Sequence, residues 1–201
     1  MIEIENELHD KGYDLIACID EVGRGCLAGD VLACAIIMPK SMLIDGVNDS
    51  KKLSAKKREK LYGEITEKAI AIGIGQIGPD IIDEINIKES TRLAMKQALL
   101  NIKDKNNHTI TPDYLLIDAE KVPMDMPQMS IIKGDEKVYG IACVSIVAKV
   151  YRDRLCEIWG QQYEGYRIVK NKGYGTKEHR EAIKRIGPSP IHRMSFLKNI
   201  L

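Results

Sequence analysis

Four carboxylates stand at the ends of short apolar runs. Asp20 and Glu21 follow Leu15–Ile19 (LIACI), Asp118 follows Tyr114–Ile117 (YLLI), and Asp135 follows Ser130–Ile132 after a Lys133-Gly134 step. A single acid leaving a strand is ordinarily a turn former or a helix cap. The set points elsewhere. Carboxylates gathered at one sheet edge repel and hold protons unless cations lie between them. Oxygen-only ligands, with no His or Cys among them, suit Mg²⁺ or Mn²⁺ rather than zinc. Such hard ligands can hold two ions a few ångströms apart, the arrangement used for in-line displacement at a phosphodiester.

One residue beyond the first pair comes Gly23-Arg24-Gly25. Glycines let a backbone approach a ligand closely, and Arg offers a planar fork of donors to phosphate. GxG alone is a turn. Beside a carboxylate pair it could bring main-chain groups to a sugar edge such as the 2′-OH, which tells RNA from DNA.

These residues need elements to carry them. Leu15–Ile19 and Val31–Met38 (VLACAIIM) read as buried strands of an antiparallel hairpin, and Ile72–Ile77 as a third strand or sheet edge. Tyr114–Ile117 is another buried strand. Ser54 is a candidate N-cap for a helix through Leu61, Ile65 and Ala69. Ile87–Leu100 predicts a helix with Leu93, Ala94, Gln97, Ala98 and Leu100 along one side, and Gly140 to about Gly160 predicts another. Strands alternating with helices after an opening hairpin argue an α/β protein with a mixed sheet flanked by helices. No repeat or linker divides residues 1–201, so a single domain is expected.

Composition excludes several classes. A chain of 201 residues with 44% hydrophobic and 29% charged residues is neither disordered nor collagenous. No apolar run reaches the ~20 residues of a membrane span. The acidic start, MIEIENELHDKGYD, lacks the apolar centre of a signal peptide. The five cysteines are odd in number and have no CxxC spacing, which suits reduced, packing thiols in a cytoplasmic protein. Net charge is +1, but residues 1–132 carry 16 Lys+Arg against 22 Asp+Glu, and residues 133–201 carry 14 against 7. A basic C-terminal third can face a polyanion while an acidic site lies elsewhere. The Lys51, Lys52, Lys56, Lys57, Arg58, Lys60 cluster reads on charge alone as a solvated helix face.

IDEVGRGCLAGDV, NDSKKL, DYLLIDA, KGD, SIVAKVYRDR, NKGYGTKEH and HRMSF, in this order from Ile16 to Phe196, resemble the type 2 ribonuclease H family in its bacterial ribonuclease HII branch. The resemblance implies a ribonuclease H-like fold with a helical C-terminal extension over about residues 165–201 that binds substrate. It implies an endonuclease, expected to be monomeric, that cuts the RNA strand of RNA–DNA hybrids. It also implies incision of duplex DNA 5′ of an embedded ribonucleotide, leaving 3′-hydroxyl and 5′-phosphate ends. Metal ligands map onto Asp20, Glu21, Asp118 and Asp135, with two Mg²⁺ or Mn²⁺ ions when substrate is bound. The 2′-OH-reading loop maps onto Gly23, Arg24 and Gly25, and the junction-sensing tyrosine onto Tyr174. Lys51, Lys52, Lys149 and Arg152 map onto phosphate contacts, Ser145 onto a phosphate hydrogen bond, and Asn86 onto a strand contact. Asp153, flanked by Arg152 and Arg154, is expected to be a structural ion-pair partner rather than a metal ligand, and His179 and His192 to be structural.

The sequence departs from the family pattern at three places. Cys26 and Asp30 stand where prolines are usual, and Cys143-Val144 replaces an alanine pair. Lost prolines should loosen the glycine loop, and Asp30 adds negative charge near the substrate path. Two readings compete: a non-catalytic nucleic-acid-binding protein, which needs no strand-end acids, and a metal-dependent phosphatase, which needs no basic tail.

Overall fold

The computed structural model describes residues 1–201. Strand β1 (Ile16–Val22) pairs antiparallel with β2 (Val31–Ile37), which pairs antiparallel with β3 (Ala71–Ile77) at the edge. On its other side β1 runs parallel to β4 (Tyr114–Asp118), and β4 parallel to β5 (Gln128–Ile131), giving a mixed sheet of order β3-β2-β1-β4-β5. The first strand therefore runs past Ile19, so Asp20 and Glu21 are its residues rather than its successors.

Both faces of the sheet are covered, which is why the central strands read as unbroken apolar runs. Leu32, Cys34 and Ile36 of β2 face one layer, and Val31, Ala33, Ala35 and Ile37 face the other. The first layer holds α1 (Glu3–Asp10), α2 (Ala55–Lys68) and the long α5 (Tyr139–Gln162). Helix α1 was not foreseen in the acidic start; it is tied in by the Gly140 amide, which donates to Glu5 Oε1 at 2.8 Å. Ser54 caps α2 as expected, its Oγ accepting from the Lys57 amide at 3.3 Å.

The second layer is α3 (Pro79–Leu100), which begins well before Ile87 and is broken at Asn86, where φ is 69° and ψ 164°. Its buried side is Thr91, Ala94, Met95, Ala98 and Leu99, while Leu93 and Leu100 face solvent, contrary to the expected stripe. The cause lies in β3. A Cβ on Gly73 would stand 2.0 Å from the Ala98 carbonyl, and one on Gly75 1.9 Å from that of Ala94. Strand and helix backbones touch there, and the small alanines turn inward.

After β5 comes the one-turn α4 (Gly134–Lys137), then α5. The C-terminal segment adds α6 (Ile168–Asn171), α7 (Lys177–Ile186) and a 3₁₀ turn at Met194–Phe196. These pack over a third apolar cluster in which Ile168, Ile183 and Leu197 meet Leu27 and Trp159. All five cysteines are buried and free, and no helix is long and apolar enough to cross a membrane.

Candidate active site

The parallel pairing of β1 and β4 sets Ile19 beside Ile117, so Asp20 and Asp118 leave the same end of the sheet as neighbours. This is the carboxyl end of parallel strands, the usual mouth of an α/β sheet. Successive strand residues point to opposite faces. Asp20 thus turns toward α5, beside the Ser145 hydroxyl, and Glu21 toward the α3 side, where Arg24 and Glu120 stand. Asp135 does not lie at a strand end. It sits in the first turn of α4, one residue after Gly134, whose amide donates to Asp118 Oδ1 at 2.8 Å. Lys133 enters that turn with φ 58°.

A cleft of about 270 Å³ opens over these groups, lined by Asp20, Glu21 and Asp118, by Gly23, Arg24 and Gly25, and by Lys51, Ser145, Lys149 and Tyr174. Asp135 borders it through Lys51, whose Nζ is 3.4 Å from Asp135 Oδ2. Tyr174 is 44% exposed, so its ring is available to the cleft. Lys149 reaches Asp153 at 2.6 Å.

Three expected substrate contacts lie elsewhere. Asn86 is exposed at the break in α3, where its Oδ1 accepts from the Lys88 and Glu89 amides and caps the second half of the helix. Lys52 pairs with Asp49 and Glu136 outside the cleft. Arg152 is 1% exposed, and its guanidinium donates to the carbonyls of Ala28, Asp30 and Lys172. A fork spent on buried carbonyls holds a loop, not a phosphate. Asp153 forms ion pairs, with Lys149 and Arg58.

Sequence reasoning passed over several contributors. Ser50 lies buried on the cleft wall, its Oγ 3.0 Å from that of Ser145. Glu120, two residues past Asp118, is 3.1 Å from Arg92 and 3.9 Å from Arg24, so Arg24 lies between it and Glu21. Arg193 is fully buried and donates to the carbonyls of Gly23, Arg24 and Gly29 at 2.7, 2.8 and 2.9 Å. With Arg152 it fastens the glycine loop to the C-terminal segment, and the loosening expected from the missing prolines is opposed. Asp30 is also engaged, accepting from Gln76 Nε2.

The acids carry the signs of a cation site. Burial, then the charges of Glu21 and Asp118, push Asp20 well above the usual carboxylate range. Burial also raises Glu21, against the pull of Arg24, and Asp118, against the Gly134 amide. Glu21 Oε2 is buried with no hydrogen-bond partner. No three His, Cys, Asp or Glu side chains form a ready-made cage; Lys51 and Arg24 stand among the carboxylates instead. The donor set is all oxygen and suits a hard divalent ion.

A family profile described as ribonuclease HII matches residues 17–199. The chain belongs to the ribonuclease HII family. It is similar to the ribonuclease HII of Alkaliphilus oremlandii, 60% identical over 200 residues that cover 100% of this chain and 98% of the relative. The enzyme is a ribonuclease H, a metal-dependent hydrolase that acts on RNA–DNA hybrids. Its fold is shared with ribonuclease H2 from Pyrococcus horikoshii, at TM-score 0.73 and 23% identity over 92% of this chain and 96% of that one. It is shared too with Bst ribonuclease HIII, solved in complex with Mn²⁺, at TM-score 0.64 and 14% identity over 93% and 68%.

Proposed function

We propose that this cleft hydrolyses the RNA strand of hybrids and incises duplex DNA on the 5′ side of an embedded ribonucleotide, leaving 3′-hydroxyl and 5′-phosphate ends. The supporting observation is the meeting of Asp20, Glu21 and Asp118, with Asp135 beside them, and the Gly23–Gly25 loop and Tyr174 in one cleft.

The carboxylates of Asp20, Glu21, Asp118 and Asp135 would hold two Mg²⁺ or Mn²⁺ ions when substrate is present, and such ions would supply an activated water and neutralise charge on the phosphate and the departing oxygen. The remaining work belongs to the chain. Main-chain groups of Gly23 and Gly25 approach the 2′-OH with no side chain in the way, and Arg24 contributes donors to the adjacent phosphate. Lys51 and Lys149 balance backbone charge on either side, and the Ser145 hydroxyl holds Asp20 in place. Tyr174 stacks on the sugar that follows the ribonucleotide, so the RNA-to-DNA junction is read by shape. The C-terminal segment, about residues 165–201, presents Tyr174 and a basic surface to the duplex. The enzyme works as a monomer in the cytoplasm.

The test is cleavage of two matched duplexes, one with a single ribonucleotide and one with four, in Mg²⁺ or Mn²⁺, with end-group analysis. Incision 5′ of the single ribonucleotide with 3′-hydroxyl ends is expected. Cleavage of the four-ribonucleotide duplex alone would remove the DNA-incision part of the proposal, and cleavage of neither would leave the binding-protein reading.

A further inference from the structure

His179 lies on α7 and His192 in the turn after it, 0% and 3% exposed. Their Nε2 atoms face each other at 3.0 Å. His192 Nδ1 is 2.9 Å from the Ser189 amide and 2.8 Å from its hydroxyl, and His179 Nδ1 is 2.9 Å from the Tyr174 carbonyl. The two ends fix every proton between them. A main-chain N–H only donates, so His192 Nδ1 carries a lone pair and its proton sits on Nε2. That proton goes to His179 Nε2, which must accept. The proton of His179 is therefore on Nδ1, where it meets a carbonyl that only accepts. A second proton on either ring would set two N–H groups against each other, at the central contact or at Ser189.

We propose that His179 and His192 form a hydrogen-bonded relay of fixed polarity, running from Ser189 to the Tyr174 carbonyl, and act as positioning residues for junction recognition. The proposal rests on the reading of Tyr174 given above. The relay complements the other restraints on that residue. The Tyr174 amide donates to the Asn171 carbonyl at 2.9 Å, and its backbone bridges Cys26 of the glycine loop. Without His179 the Tyr174 carbonyl keeps only the local Thr176 amide at 2.8 Å. With it, the main chain is held from both sides, and the ring alone is left to meet substrate.

The surroundings keep both rings neutral. Burial lowers the pKa of both, that of His192 to about 4 with His179 contributing. Tyr166 packs on His192 at 4.7 Å between ring centroids, but its hydroxyl is committed to the Gly187 carbonyl. Glu178 is turned to Lys170 and Arg167, and Arg193 to the glycine loop. No carboxylate touches either imidazole to hold a second proton.

Two measurements test this. In ¹⁵N imidazole spectra of the intact protein, His179 should be the Nδ1–H tautomer and His192 the Nε2–H tautomer. Both should stay so from about pH 5 to about pH 8, where an ordinary histidine titrates. The same tautomer on both rings, or titration of either in that range, overturns the relay. The second measurement is the ratio of kcat/KM on one-ribonucleotide to four-ribonucleotide duplexes. His179→Leu should lower the ratio about 5- to 10-fold, the scale of one lost hydrogen bond. His179→Asn, whose amide can still donate toward Tyr174, should restore most of it. Tyr174→Ala serves as reference. If it lowers the ratio and His179→Leu does not, the relay is refuted and the reading of Tyr174 stands. If Tyr174→Ala leaves the ratio unchanged, that reading falls and the proposal falls with it. Should His179→Leu not fold, the tautomers and His179→Asn decide.

Discussion

Replacing Arg193 with Met keeps the volume of the side chain and removes its donors. Hydrogen bonds from a charged donor contribute roughly 1.5–3 kcal/mol each. The three from Arg193 to Gly23, Arg24 and Gly29 thus amount to about 4.5–9 kcal/mol in gross terms. Against this, burial lowers the Arg193 pKa to about 10 from 12.5, which by about 1.4 kcal/mol per pH unit is a cost on the order of 3 kcal/mol. The net loss for Arg193→Met is about 1.5–6 kcal/mol. Where a buried ion pair is replaced whole, both partners vanish and the loss can be nil. Here three carbonyls stay behind, and that difference decides the sign. At ~2–4 °C per kcal/mol for a chain of this size, the melting temperature should fall by about 3–24 °C. Hydrogen exchange should quicken first at the Leu27 and Gly29 amides, which donate to the carbonyls of Gly173 and Ile191. Cleavage at a single ribonucleotide should fall with it. A stability loss below about 1 kcal/mol, with exchange at Leu27 and Gly29 unchanged, would show that Arg193 does not hold the loop.

Asp20→Asn should lose more activity than the ~10–100-fold typical of removing an outer partner of a metal ligand, while the metal-free protein melts higher because a buried like charge is gone; near-wild-type rates sink the ligand assignment. Raised carboxylate pKas in Asp20, Glu21 and Asp118 mean that the metal-free folded state binds more protons than the unfolded one. Its stability should therefore fall as pH rises from the ordinary carboxylate value through the raised ones, and Mn²⁺ should cancel that fall; thermal melts with chelator or Mn²⁺ across acidic to neutral pH check this, and a rise with pH in chelator refutes it. Lys51→Ala should flatten the log–log salt dependence of substrate binding by about 0.9 if it meets one phosphate, and Lys52→Ala should change the slope less; equal effects would mean the cleft does not distinguish them. Gly75→Ala should cost about 1–3 kcal/mol or more, because its Cβ would enter the Ala94 carbonyl; urea unfolding at wild-type midpoint would refute the close approach.

Residue types and order revealed the chemistry of the site better than its geometry. Asp20, Glu21 and Asp118 announce themselves because a carboxylate is conspicuous against an apolar run. Where the strand stops is not conspicuous: the apolar run ends at Ile19 while β1 continues through Asp20 and Glu21. Asp135 reaches the cleft from a helical turn whose entry depends on the left-handed Lys133, a conformation that no pattern of residue types marks. The buried face of α3 is not marked within the helix itself, because it is set by glycines in the preceding strand β3. The family resemblance implies a phosphate contact for Arg152. Its burial depends on the fold bringing Ala28, Asp30 and Lys172 around it. His179 and His192 are buried, as a structural role requires, and their polarity depends on Ser189 and Tyr174 brought close by the fold.

The stitching of the glycine loop to the C-terminal segment has a consequence for biosynthesis. The carboxylates all lie between Asp20 and Asp135, and α5, against which Asp20 packs, ends at Gln162. A ribosome that has released residues through α5 has supplied every acid of the cleft. The loop's fasteners at Lys172, Gly173, Ile191 and Arg193 come afterwards. Domains fold progressively during synthesis, and contacts distant along the chain close late. The acids are thus made well before Tyr174 and the C-terminal fasteners of the glycine loop, and a nascent chain passes through a stage that holds all four acids with the loop not yet tied to the C-terminal segment.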